Sequence, residues 1–125
     1  MASIKIPNEK AVLDHLVEAL GLKTAAAREA LKIALENTIL LDQKQQDYGS
    51  KNISEFGAYG CIVRMSDKFE RMKNLYKNKR RRAVNESIRD SFRDFSNYGT
   101  IALMCETGKW PDDSIPPQPM DQSGV

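Results

Sequence analysis

Apolar residues recur along the chain with helical spacing. From about Asn8 to Leu20, Val12, Leu13, Leu16, Val17 and Leu20 fall on one face, and Gly21 follows as a stop. Thr24 is placed to cap a second helix, TAAAREALKIALENTILLDQKQQ. Ala27, Leu31, Ala34 or Leu35, Thr38 and Leu41 are expected on its buried face. That helix should fail near DYGSKN, and a short helical piece is predicted from Ser54 to Tyr59. A third long helix is predicted from about Cys61 to Leu75, with Met65, Phe69 and Met72 as its apolar stripe. Asn85 is placed to cap a fourth, running from Glu86 to about Thr107, with Gly108 and Pro111 beyond its end. Strand-like alternation is absent throughout. The pattern predicts an all-α antiparallel helical bundle, one domain over residues 1–110.

The remainder, 111–125, holds four of the five prolines and few core-forming residues, and reads as an extended or disordered tail. The charged fraction of 29%, the hydrophobic fraction of 41% and a net charge of +2 describe a soluble globular protein rather than a general nucleic-acid binder. No segment has the apolar length to cross a bilayer, and MASIKIPNEK lacks the core of a secretory signal. Cys61 and Cys105 lie in apolar runs without metal-like spacing, so buried reduced thiols and a cytoplasmic location are expected. With two cysteines and His15 as the sole histidine, an N/S zinc site is nearly excluded, and His15 has no motif around it to build a catalytic triad. Neither GxxxxGK[ST] nor GxGxxG occurs.

Two stretches carry the candidate chemistry. In 64-RMSDKFERMKNL-75, Asp67 and Glu70 are one turn apart beside Arg64, Lys68, Arg71 and Lys73. In 86-ESIRDSFRDFSNY-98, Asp90 and Asp94 repeat the spacing, with Asn97 one turn on. Residues three or four apart share a helix face, where like charges oppose each other by about 0.2–0.5 kcal/mol per pair. A cation between them would reverse that sign. On the fourth helix Ile88, Phe92 and Phe95 form one apolar stripe. Asp90, Asp94 and Asn97 lie roughly opposite and run on into Ile101, Met104 and Cys105, so something covers that acidic face. Four carboxylates from two facing helices offer oxygen ligands suited to Mg²⁺ or Mn²⁺. The competing reading is an ion-pair ladder on a solvated face.

The order DYG, RMSDKFERMKNL, ESIRDSFRDFSNY and ALMCETGKW resembles nucleotide-modification-associated domain 1 of phages, itself similar to the all-α nucleoside triphosphate pyrophosphatases typified by MazG. The likeness runs from about Leu40 to Trp110 and is greatest to the MazZ-type branch of phages that replace adenine by 2-aminoadenine. It implies Asp67, Glu70, Asp90 and Asp94 as ligands of Mg²⁺ or Mn²⁺, with Asp standing twice where the family has Glu. The implied reaction splits a nucleoside triphosphate, with dGTP or GTP as the specific expectation, into monophosphate and pyrophosphate. Glu70, with Asp67, is then the catalytic candidate, and Lys44, Lys51, Lys68 and Arg71 the phosphate-binding ones. Asn52, Asn97 and Tyr48 would meet the nucleotide, although Tyr48 could equally pack on the bundle and Asn97 be a buried core amide. A homo-oligomer, dimer or tetramer, is expected because short helices with two apolar faces cannot bury both in one small bundle. The KNKRRR run reads as a solvated connection or as the contact of a non-catalytic binding module. No aromatic residues are interleaved in it for stacking on nucleic-acid bases.

Overall fold

The computed structural model describes residues 4–78 and 87–111. These form four helices, α1 (Glu9–Leu20), α2 (Ala25–Tyr48), α3 (Lys51–Lys77) and α4 (Ile88–Glu106), with no strand among them. The all-α expectation holds. The tail beyond Pro111, the cap expected at Asn85 and most of KNKRRR fall outside the described residues.

Local chemistry sets the helix ends. Thr24 accepts the Ala27 N–H at 3.0 Å and starts α2, while Gly21, at φ 67°, stops α1 in a left-handed conformation that glycine adopts without steric penalty. α4 begins at Ile88, two residues later than the sequence suggests, because Ser87 and Asp90 form a reciprocal capping box. The DYGSKN break is only two residues long, Gly49 and Ser50. The short piece expected over 54–59 is instead the first part of α3, set off by Gly57 at φ 61°, ψ −154°. That conformation is essentially restricted to glycine, and it bends the chain there.

α3 and α4 make the most extensive contact, and their partners show the direction. Ser50 meets Trp110, Met65 lies against Gly99, and Lys68 meets Asp94, so the two helices run antiparallel. α2 crosses α4 through a polar seam. Arg93 donates to Asn37 Oδ1 at 2.8 Å and reaches Glu36 at 3.3 Å, and the Asn97 amide donates to the Asn37 carbonyl at 3.2 Å. α1 rests on α2, tied by Asp14 to Arg28 at 2.8 Å.

Among the described residues the buried apolar side chains are Ile6, Leu13, Leu40, Cys61 and Ile101, a small core. On α4 the covered face is Ser91, Asp94, Asn97 and Ile101, whereas Phe92 is 52% exposed. Of the expected Ile88–Phe92–Phe95 stripe, Phe92 is therefore open to solvent while Ile88 and Phe95 are half-buried. On α2 the covered positions are Asn37 and Leu40, and Thr38 is exposed. α3 carries a second apolar strip facing away from α4. Ile62, Phe69 and Tyr76 recur every seven residues, with Tyr59 one turn before Ile62, and all are exposed. Phe69 belongs to this outer strip rather than to the packed face of Met65 and Met72.

Candidate functional site

A cavity of about 410 Å³ opens where α2, the start of α3, the middle of α3 and α4 meet. Its size is within the range of small-molecule sites. α4 supplies Asp94 and, one turn on, Tyr98, with Asn97 between them; α3 supplies Lys68 and, one turn before it, Arg64. Lys44, Gln45 and Tyr48 reach in from the last turn of α2, Asn52 from the first turn of α3, and Trp110 from beyond α4.

Asp94 is the electrostatic centre. It is 8% exposed, and its two oxygens are held separately by Lys44 at 2.9 Å and Lys68 at 3.1 Å. Two ammonium groups on one carboxylate, with the Arg64 guanidinium on the same wall, leave the cavity lined by more positive than negative charge. Such a site suits an anion, and lysine and arginine are the side chains that grip phosphate oxygens.

The other end is built differently. Gly108, at φ 67°, turns the chain back so that the N–H groups of Lys109 and Trp110 both donate to the Met104 carbonyl, at 2.7 and 3.2 Å. The Trp110 indole N–H donates to the carbonyl of Ser50 at 3.1 Å. Ser50 is buried at the α2–α3 junction, and its hydroxyl is hydrogen-bonded to Gln45. The indole is thereby pinned as a wall of the cavity.

The residues expected from the sequence divide accordingly. Asp94, Lys44, Lys68, Tyr48, Asn52 and Asn97 all line the cavity. Lys51, Arg71, Asp67, Glu70 and Asp90 do not. Lys51 is exposed at the start of α3 and Arg71 is half-buried one turn past Lys68. Asp67 borders a second, more open hollow with Phe56, Tyr59 and Val63. The Glu70 side chain is 68% exposed and sits 3.5 Å from Lys73. Asp90 accepts from the Ser87 N–H as half of the capping box. Asn97 spends its amide N–H on Asn37, the core role, while also facing the cavity.

The single chain therefore does not bring the four carboxylates onto one point. Among the described residues no three His, Cys, Asp or Glu side chains are grouped to hold a metal ion. In this chain Asp94 gives its two oxygens to ammonium groups, and Asp90 accepts from the Ser87 N–H at its own helix cap. Arg64, Gln45, Tyr98 and Trp110 join the cavity without having been chosen as site residues. Arg64 and Tyr98 had a signal, at i−4 from Lys68 and i+4 from Asp94, whereas Trp110 had none. At the α3–α4 interface, burial pushes the Cys61 thiol up from its ordinary pKa, with Cys105 adding to the effect and Arg64 opposing it.

The cluster of Lys44, Lys68 and Asp94 lies inside the stretch that decides the comparison with known proteins. Residues 44–105 match the family described as nucleotide modification associated domain 1. The match is just short of half the chain, and it begins at the first cavity lysine and ends one residue before the end of α4. No curated protein matches the chain, and no solved structure does. No described helix is long and apolar enough to cross a membrane.

Proposed function

We propose that the cavity binds a nucleoside triphosphate and that the chain hydrolyses it to the monophosphate and pyrophosphate. The observation that carries this reading is the pair of lysines converging on buried Asp94 within a domain associated with nucleotide modification. In this reading Asp94 holds the two ammonium groups at a fixed spacing, and an entering triphosphate takes over part of their charge. Positive groups already in place where charge builds on a departing pyrophosphate lower the barrier without reorganising. The expected substrate is dGTP or GTP, in remodelling the nucleotide pool for synthesis of modified-base phage DNA. Mg²⁺ or Mn²⁺ belongs to the assay as a variable, since the described residues of one chain group no three carboxylates around a point.

The test is a panel of all NTPs and dNTPs incubated with the protein in Mg²⁺, in Mn²⁺ and in chelator, with products separated by ion exchange. Monophosphate and pyrophosphate are expected from a guanine nucleotide. A charge-assisted contact to phosphate contributes about 1.5–3 kcal/mol, so Lys44→Met should lower kcat/KM by roughly ten- to a hundred-fold. Turnover of no nucleotide would overturn the hydrolase reading. The dispersed carboxylates favour one second reading, a module that binds nucleotide without cleaving it. Tight binding with no product would select that one.

Self-association is part of the proposal. The outer strip of α3, Tyr59, Ile62, Phe69 and Tyr76, has the seven-residue spacing with which one helix packs along another. A second copy is the occupant proposed.

A further inference from the structure

We infer that Trp110 is the platform on which the nucleotide's base stacks, an inference that rests on the cavity being a nucleotide site. The cavity is polarised. Its cationic end is at Asp94, and the backbone that carries Trp110 is hydrogen-bonded to Met104, ten residues further along α4. At the rise of an α-helix, positions 94 and 104 are about 15 Å apart along α4. A ligand filling the cavity meets the cations at one end and the indole at the other.

Three features make Trp110, rather than Tyr48, the platform. Its N–H is already committed to the Ser50 carbonyl, so the ring offers a face and not a hydrogen-bonding edge. The chain behind it is locked by the two bonds to Met104, so stacking on it orders nothing new. Tyr48, by contrast, is 80% exposed on the rim. With the indole edge occupied, discrimination between bases passes to the amides beside it, Gln45 and Asn52. Trp110 lies beyond the 44–105 match, whereas Gln45 and Asn52 lie within it.

Trp110 is also the sole tryptophan, which makes the test direct. Full-length protein is titrated with a dGTP analogue carrying a methylene bridge between the α and β phosphorus atoms, and separately with inorganic tripolyphosphate. The analogue is expected to change Trp110 emission, and tripolyphosphate to bind while leaving it unchanged. Calorimetry on Trp110→Ala should show the analogue weakened about ten-fold, the scale that base–aromatic stacking carries, with tripolyphosphate within two-fold of wild type. Trp110→Phe, which keeps a stacking face but loses the bond to Ser50, should retain most of the analogue's affinity. If Trp110→Ala weakens both ligands alike, the residue is a latch on the α2–α3 junction and the inference falls while the cavity reading stands. If wild type binds neither ligand, both fall.

Discussion

Replacing Asp94 by Asn tests the charge arrangement from both sides. The substitution keeps the shape of the side chain and removes the one negative charge that two lysines share. At about 3 Å and an effective dielectric near 20, each pair has roughly 5 kcal/mol of gross attraction, most of it offset by desolvation. Breaking a buried pair by deleting one partner costs about 3–5 kcal/mol. The Lys44 and Lys68 side chains are 44% and 22% exposed, so both ammonium groups can turn toward water and the loss should fall to about 2–3 kcal/mol. For a chain this size that is a drop in Tm on the order of 10 °C, read by circular dichroism or calorimetry. Tripolyphosphate affinity should be held or raised, because two cations lose their internal counter-charge. Hydrolysis should fall at least ten-fold, because the lysines are no longer held at a fixed spacing. A variant as stable as wild type would refute the buried bridge, and undiminished hydrolysis would refute the role given to it.

Four further outcomes follow from other parts of the fold. Ser87→Ala should destabilise by about 1 kcal/mol through loss of the α4 cap, measured in urea, without altering the divalent-ion dependence of any turnover. Gly57→Ala meets no atom within 4 Å but forces a non-glycine residue into the bend, so a loss of about 1–3 kcal/mol and weaker nucleotide binding through displaced Asn52 are expected. The Asp14 carboxyl is held below its ordinary pKa by hydrogen bonds from Lys10 and then Arg28. Its contribution is thus present above the ordinary aspartate range and lost as pH falls through its lowered value; Asp14→Asn should reduce Tm at pH 7 but hardly at pH 2. Phe69→Asp should shift light-scattering mass toward the monomer while leaving helicity intact, and an unchanged mass would remove the outer strip of α3 from the interface.

The sequence was most legible where one residue's chemistry decides a local structure. Thr24, Gly21 and Gly108 mark helix boundaries because a cap or a left-handed turn depends on the residue itself. Periodicity also indicated the covered face of α4, where an acidic run leads into Ile101: Asp94 and Asn97 are buried there, and their polar groups are satisfied by Lys44, Lys68 and Asn37. Spacing misled at Asp90. An acidic residue one turn from Asp94 resembles half of a ligand pair, but three residues after Ser87 it is a capping residue. The bend at Gly57 lay three residues before the break expected at Gly60, because either glycine could have adopted the unusual backbone. Trp110 reaches the cavity only through the turn at Gly108 and a bond to Ser50, sixty residues away in sequence, which no local pattern records.

The most direct test of the cavity as the nucleotide site is a crystal structure with the methylene-bridged dGTP analogue. The triphosphate oxygens are expected within ion-pair distance of Lys44 and Lys68, with the guanine against Trp110. An analogue bound elsewhere, with both lysines still closed on Asp94, would contradict the assignment.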